Sequence, residues 1–458
     1  MDKVSFPSIQ QRIRYIENVE QWITDIQNAT IASDLKKVKA LKKKVAKLTV
    51  VGPHRLLLCR SLYHRGWQAF ESGHLRVAEQ LFYWLEQLDR TNWHAHLAGA
   101  TLRQLSLGQT EASRQFRIFV KANPVFRCQE SQSQDVVKLG IFATTGKHDI
   151  NFVSGGYNIP EGLTETQHLT LSPDYSVSTL FIDGISGKDI KPFDCLINAI
   201  SDSDLYSDRL RQLRDLLNSS NLPIINDPAH SILTTRDYIC ANRGQSDGLI
   251  IPKTVKVKLS AKNNGILPHE INTNDLRYPL LLRPAGTQNG QDFILLNNHG
   301  DASGYDANDG DYYLTEYYDF KSRDGFYRKY RCWSIGDEVI PNHLHISDQW
   351  NVHSPCRLEI MMHNPWMLEE ERAFLNSDNE RIADGVRKIK EIIKLDYFGV
   401  DFGLTEGGDM ILFEANATMQ SSFRPDSIKL FPHLGDAIIR HRQSFRRLIA
   451  QKISSAQT

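Results

Sequence analysis

The densest chemistry in the sequence lies near its C-terminal end, in LDYFGVDFGLTEGGDMILFEANATMQ, residues 395–420. Gly407-Gly408 stands between two apolar runs, and paired glycines reach the positive φ of a two-residue hairpin turn without steric cost. With those two residues as the turn, Glu406 pairs with Asp409, Leu404 with Ile411, Phe402 with Phe413 and Val400 with Ala415. That face is apolar and predicts a core contact. The other face sets Gly399, Asp401 and Gly403 opposite Asn416, Glu414 and Leu412. Asp401 and Glu414 thus become direct cross-strand neighbours, and like charges so placed repel. A raised pKa that leaves one carboxyl protonated would relieve this. The expectation here is a hard divalent cation, which takes both as oxygen ligands. Asn416 adds a neutral oxygen on the same face, and the flanking glycines predict open space for a bulky ligand. The pairing rests on the turn, since a slip of one residue breaks it. An exposed edge hairpin with acidic decoration is the alternative.

Three further stretches carry reactive side chains. YPLLLRPAGTQNGQDF, 278–293, runs a strand into a loop containing Gly286 and Gly290, and such loops cradle phosphates through backbone N–H groups. An ordinary hairpin loop is the alternative. FYRKYRCWSIGDEVIPNHLHIS, 326–347, places Tyr327, Lys329, Arg331 and Trp333 on one strand face and Arg328 on the other. His343 and His345 share a face, with His353 nearby; without a third convincing ligand the pair is not a metal site. Substrate recognition or strand packing is expected of the two. Arg424 follows the hairpin and suits either a bidentate contact to an acceptor carboxylate or a loop cap.

GVDFG…FEANA resembles the end of the nucleotide-binding domain of the ATP-grasp ligases, relatives of D-alanine–D-alanine ligase, glutathione synthetase and the ribosomal-protein glutamate ligase. The resemblance implies that Asp401, Glu414 and Asn416 hold magnesium, with manganese as the alternative ion, against the phosphates of ATP. It implies phosphate contact at Arg283, Gly286 and Gly290, although the family usually has lysine where Arg283 stands. DYYLTEYYDF, 311–320, resembles the segment joining the two lobes, so Glu316, Tyr317 and Tyr318 would form the adenine edge. IINDP (224–228), TTRD (234–237) and PKT (252–254) resemble the entry to the first lobe, with Lys253 reaching phosphate. Arg331 would stabilise a phosphoryl group or acyl-phosphate, which needs positive charge where negative charge develops. The implied function is an ADP-forming ligase that makes an amide bond from small-molecule or peptide carboxylate and amine substrates. A small-molecule kinase on the same scaffold is one alternative. A helical-repeat interaction protein with a degenerate nucleotide domain, motivated by Arg283, is another.

The elements that must position these groups fall into three predicted domains. Residues 1–130 read as helical, with Leu35, Val38, Leu41, Val45 and Leu48 at helical spacing among lysines. Gly66, Gly73, Ala78, Phe82 and Leu85 recur 34 residues later as Ala100, Leu107, Ala112, Phe116 and Phe119. That period resembles tetratricopeptide repeats and implies either a peptide or protein partner or a packing module. Pro124 stops the second copy, and 128–135 reads as a linker. Residues 136–230 alternate strands (138–144, 177–183, 193–200, 222–226) with a helix at 204–219, which predicts an open parallel sheet. Gly155 to Asn158 form a loop after its first strand, a substrate lip or a turn. Residues 231–458 are α+β, with strands at 249–257, 278–284, 293–297, 311–318, 327–334 and 337–347 and helices at 380–394 and 434–453. The expected fold class is therefore α/β (α+β), an ATP-grasp fold with a preceding open α/β domain and an N-terminal all-α repeat domain.

Bulk properties narrow the partners. The 458 residues carry zero formal net charge, so no global field argues for nucleic acid or an anionic membrane. No apolar run approaches the roughly 18–20 residues of a membrane span, and the first residues lack the apolar centre of a signal peptide. Six scattered cysteines without a C-x-x-C pair predict neither a disulfide framework nor a zinc module, and a reducing cytoplasm is expected.

Overall fold

The computed structural model describes residues 53–88, 92–131, 136–153, 156–244, 247–261, 266–287, 293–421, 423 and 425–457, with isolated positions before residue 53. The stripe from Leu35 to Leu48, and Gly155, Gly290 and Arg424, lie outside the described residues. The chain divides into two units: residues 1–126 with 145–160, and residues 127–144 with 161–458.

The first unit holds two helical hairpins, Pro53–Glu71 with Leu75–Leu88 and Trp93–Leu107 with Gln109–Ala122. Gly73 and Gly108, both at positive φ, make the turns within them. Most of the repeat positions pack inside the unit. Ala78, Phe82, Leu85, Ala100, Ala112, Phe116 and Phe119 are buried, and the Phe82 ring fills the space a side chain at Gly66 would need. Leu107, at a helix end, is exposed. Among the described residues there are two hairpins, where a stacked repeat array has three or more. The second copy ends at Ala122, ahead of Pro124. Phe152–Val153 and Gly156–Tyr157 form a short antiparallel ladder in this unit, not in the α/β domain as expected. The reason is apolar: the Phe152 ring meets Phe116 edge-on at 5.2 Å.

The second unit contains three sheets. The first has the order Val125–Gln129, Tyr175–Phe181, Val137–Ala143, Cys195–Asn198, Ile224–Ile225, and its last four strands pair in parallel as expected. Cys128 and Gln129, expected in a linker, end its edge strand. Helix Ser203–Leu217 follows, capped by Asp202, whose carboxylate accepts from the backbone of Asp204 and Leu205. The second sheet is antiparallel, in the order Ile294–Leu296, Leu280–Pro284, Gly310–Glu316, Thr254–Leu259. The strand predicted over 249–257 is two strands in different sheets, because Pro252 and Lys253 break it.

The third sheet carries the site. Its strands are β1 (Leu249–Ile250), β2 (Tyr327–Ile335), β3 (Glu338–Ser347), β4 (Tyr397–Leu404) and β5 (Met410–Asn416), in the order β3-β2-β4-β5-β1. Helix Glu380–Ile393 covers one face through Ile382, Val386, Ile389 and Ile393, all buried. Leu139, Ile141 and Ile197 of the parallel sheet share one core with Trp333, Tyr397 and Phe445. The boundary expected near 230 is therefore a continuous apolar core. Asn226 of IINDP, at φ +61, stitches it: its Oδ1 accepts from the backbone N–H of Asp396 and Tyr397, and its Nδ2 donates to Tyr397 O at 2.7 Å.

Candidate functional site

The hairpin β4–β5 pairs Asp401 with Glu414, Val400 with Ala415 and Gly399 with Asn416, as counting predicted. Beyond Asp401 the register differs, with Phe402 opposite Leu412 and Leu404 opposite Met410. Two features cancel. The turn has three residues, 406–408, closed by Thr405 N–H to Asp409 O at 2.9 Å with Gly408 at φ +82. Phe413 is then the extra residue of a β-bulge, which restores the carboxylate pairing one step on.

What surrounds the pair is cationic. Arg331 on β2 lies directly opposite Asp401 and grips it with two bonds, Nε to Oδ1 at 2.5 Å and Nη2 to Oδ2 at 2.8 Å. Its Nη1 donates to Gln420 O at 3.2 Å. Lys329 Nζ stands 3.6 Å from Asp401 Oδ2. Arg236, of TTRD, donates to Glu414 Oε1. The guanidinium groups of Arg331 and Arg236 therefore offset the repulsion between the two carboxylates. Burial pushes the Asp401 carboxyl up, but Arg331 and Lys329 outweigh it and hold it below the usual carboxylate range. At Glu414 burial again acts upward, and Arg236 and Arg283 bring the net shift down. Neither group fits the protonated alternative.

Asn416 has a different task. Its Oδ1 accepts from Thr418 N at 3.0 Å, Thr418 Oγ1 at 2.7 Å and Met419 N at 3.1 Å, while its Nδ2 donates to Glu414 Oε1 at 2.8 Å. It holds the turn after the hairpin and orients Glu414. The flanking glycines also read differently from expectation. A Cβ on Gly399 would lie 2.7 Å from Met419 Sδ, and one on Gly403 would lie 2.7 Å from the Phe413 ring. They admit protein side chains, not a ligand.

Across the sheet the row runs His343, Arg331, Asp401, Glu414, each directly opposite the next. A bulge bounds each end, at Phe413 beside Glu414 and at Asn342 beside His343, where Arg331 and Cys332 pair with His343 and Pro341. Arg328 points to the other side, bound to Asp324 and Glu370.

The second sheet presents its own row, Arg283, Tyr313, Lys256. Arg236 joins the two rows, its guanidinium 5.7 Å from the Tyr313 ring centre and its Nη2 on Glu414. Asp204, at the start of helix Ser203–Leu217, receives Tyr313 Oη at 2.8 and 2.9 Å and Lys256 Nζ at 2.8 Å. Arg283 donates to Thr287 O, and its pKa is pushed down to about 10 by burial and by the nearby Arg236. Gly286, expected at the phosphates, sits at φ +74 where a Cβ would lie 2.7 Å from Leu205. It is a close-approach glycine.

Lys253 and Glu316 meet at the end of this sheet, Glu316 N–H donating to Lys253 O at 2.9 Å. Lys253 Nζ bonds Asp275 O at 2.6 Å, and Glu316 Oε1 accepts from Arg277 N–H. From there an aromatic path leads to the charges. The Tyr317 ring meets Trp350 at 6.0 Å, Trp350 meets Phe293 at 5.5 Å, and Arg283 lies 5.8 Å from the Phe293 ring. Tyr318 is exposed beside it. Arg236, Asp204, Trp350 and Phe293 were missed by sequence reasoning; TTRD was noticed, but its arginine was given no role. A cavity of about 670 Å³ lined by Tyr238, Arg243, Ile250, Lys388 and Ile392 shares no residue with either row.

No known family profile matches the sequence, and no curated protein matches it. Solved structures do resemble it, 362 chains in all, two of which are the following. The D-Ala:D-Ser ligase VanG from Enterococcus faecalis is 12% identical, with 69% of this chain and 99% of that one covered, at a TM-score of 0.38. A RimK domain ATP-grasp protein from Sphaerobacter thermophilus is 12% identical, covering 66% and 100%, at a TM-score of 0.37. Likeness at this level assigns neither activity nor substrate to the chain.

Proposed function

We propose that the chain is an ATP- and magnesium-dependent ligase that joins a carboxylate to an amine through an acyl-phosphate. One observation carries this reading. The buried Asp401 and half-buried Glu414 stand among Arg331, Lys329, Arg236 and Arg283, so cations outnumber the two carboxylates where two sheets meet. A polyphosphate suits such a site, and the resemblance of GVDFG…FEANA to the ATP-grasp ligases supports the same choice.

Magnesium fits the donor set. It keeps several waters and takes one or two carboxylates plus substrate phosphates, in preference to an all-protein cage. Two facing carboxylates, and no group of three protein ligands among the described residues, match that habit. Asp401 and Glu414 would hold the ion, with Asn416 setting the Glu414 carboxylate. Charge neutralisation at the phosphates is the chemistry the ion supplies when bound.

The chain's own residues do the rest. Arg283 and Arg236 meet the phosphates, and the Tyr317–Trp350–Phe293 path offers ring faces and edges to the base. Glu316 and Lys253 mark its ribose end. A donor carboxylate oxygen attacks the γ-phosphorus, the bond to the β,γ-bridging oxygen breaks, and ADP departs. Arg331, pinned by Asp401 and Gln420, places fixed positive charge where the phosphoryl charge develops, with no reorganisation at the moment of transfer. An amine then attacks the acyl carbon, phosphate leaves with the bonding pair, and the nitrogen loses a proton. The same reading extends to a peptide or protein as one substrate, met through the helical unit, in a reducing cytoplasm.

The test is ADP release by purified protein with magnesium, ATP and a panel of carboxylate–amine pairs. Hydroxylamine should trap the activated acid as a hydroxamate. Firm ATP binding with no ADP from any pair would remove the ligase reading, and a phosphorylated product inert to hydroxylamine would replace it with a kinase.

A further inference from the structure

Four side chains far apart in sequence join in one hydrogen-bonded chain within the second unit. His441 Nε2, from helix Leu434–Gln457, meets the hydroxyl of Tyr397, the first residue of β4, at 2.9 Å. Tyr397 Oη bonds the Ser421 hydroxyl, and Ser421 Oγ meets His168 Nε2 at 2.9 Å. His441, Tyr397 and Ser421 are each 1% exposed, and His168 is half-buried. Packing fixes the Tyr397 ring, which stacks on Trp333 at 4.5 Å and meets Phe445 edge-on at 5.0 Å. Buried polar networks of this kind rigidify a core when every member is satisfied.

The proton count of the chain closes. Burial pushes the His168 ring down to about 4 and the His441 ring down to about 3, with Arg442 acting on His168 and His168 on His441. Both rings are therefore neutral near pH 7. Two hydroxyls supply two protons for three bonds, so one ring supplies the third. One imidazole presents an N–H at Nε2 and the other a lone pair, in opposite tautomers. The chain is complete without a charge or an outside ligand.

What the chain holds is the strap 417–421, which follows β5. Both ends of the strap are tied to one segment ahead of strand Tyr175–Phe181. Thr164 Oγ1 donates to Ala417 O at 2.8 Å, and His168 bonds Ser421. Thr164 is itself fixed at the carboxyl end of strand Cys195–Asn198, its N–H donating to Ala199 O at 2.8 Å. Between the two ties, Gln420 O takes the Nη1 arm of Arg331 at 3.2 Å. Asp401 holds the other arms, but the ligase reading gives that carboxylate a cation to bind as well. The Gln420 carbonyl is an anchor for Arg331 without a second task. Resting on that reading, we propose that His168, Ser421, Tyr397 and His441 are positioning residues. Their chain fixes the strap, and the Gln420 carbonyl then sets the Arg331 guanidinium where the phosphoryl group passes.

Crystal structures of the full chain, unaltered and as Ser421→Ala, His168→Phe and His168→Gln, read the Arg331–Gln420 contact directly. It should stand at 3.2 Å in the unaltered protein and open beyond hydrogen-bond reach in the first two variants. It should return in His168→Gln, whose amide takes the place of Nε2. Turnover is followed as ADP release from magnesium–ATP with the carboxylate–amine panel. Ser421→Ala and His168→Phe should lower kcat about tenfold with KM for magnesium–ATP unchanged, because a small misplacement of a catalytic group is costly. A merely structural role predicts a lower Tm with Arg331 unmoved. That result, or an unchanged kcat with the guanidinium displaced, would overturn the proposal. A displaced guanidinium with no ADP from any pair, the unaltered protein included, would sink the ligase reading and leave the strap's hold on Arg331 standing. If these variants do not fold, Tyr397→Phe removes one hydroxyl, keeps the ring and is read in the same way.

Discussion

Two ends of one sheet face treat buried polarity in opposite ways. At the β4–β5 end both carboxylates have partners: Asp401 has Arg331 and Lys329, Glu414 has Arg236 and the Asn416 amide. At the β3 end three ring nitrogens of His343 and His345 have no partner among the described residues. The matched end is rigid before any ligand arrives, since a bidentate guanidinium–carboxylate pair fixes both side chains. The unmatched end carries an energetic debt in the free protein. Preorganised charge suits chemistry common to every turnover.

The largest expected effect comes from breaking the matched end. Arg331→Met strands the buried Asp401 carboxylate, and loss of one partner from a buried ion pair costs about 3–5 kcal/mol. Urea unfolding measures it, and a cost no greater than that of an exposed pair would mean the two ends do not differ in this way. The unmatched end should show itself in acid. The folded pKa of both imidazoles is lowered by burial and by Arg357, Lys329 and Arg331, with His345 acting on His343 and His353 on His345. Below the ordinary histidine value of about 6.5 the unfolded chain takes up protons that the folded one refuses. Stability is therefore complete above about pH 6.5 and falls toward the lowered folded values, by about 1.4 kcal/mol per pH unit for each ring. Replacing both with phenylalanine should flatten the curve between about pH 6.5 and 5; an unchanged slope would show that neither ring is held neutral.

Smaller effects sharpen the picture. Asn416→Ala removes the acceptor of three bonds after the hairpin and the donor to Glu414, and should cost about 1–2 kcal/mol in urea unfolding. Tyr313→Phe deletes the hydroxyl on Asp204 and should cost about 1 kcal/mol, visible as a small fall in Tm. A Tyr313→Phe change without effect would mean that the second sheet does not lean on helix Ser203–Leu217 through that contact.

The element types were legible where periodicity was strong: the parallel strands, the helix Ser203–Leu217 and the stripe of Ile382, Val386, Ile389 and Ile393 all appear. The Asp401–Glu414 pairing was legible for a partly mistaken reason. Paired glycines read as a two-residue turn, whereas Thr405 and Asp409 close a three-residue one, and the bulge at Phe413 compensates. Bulges leave no local signal when the bulged residue is itself apolar. Arg236 could not be placed, because its partner Glu414 lies 178 residues away and only tertiary structure joins them. Glycine was misread in a consistent way. Gly286, Gly399 and Gly403 looked like freedom or empty space, and each is filled by Leu205, Met419 or Phe413. Missing side chains mark close approach as often as they mark room.

The central claim is that the matched end holds a magnesium-bound triphosphate. Calorimetric titration of the full chain with ATP, with and without magnesium, tests it most directly when Asp401→Asn and Glu414→Gln are run alongside. Magnesium should tighten ATP binding to the unaltered protein, and either substitution should abolish most of that gain while ATP alone still binds through the arginines. Equal affinity with and without magnesium, unchanged in both variants, would contradict the account.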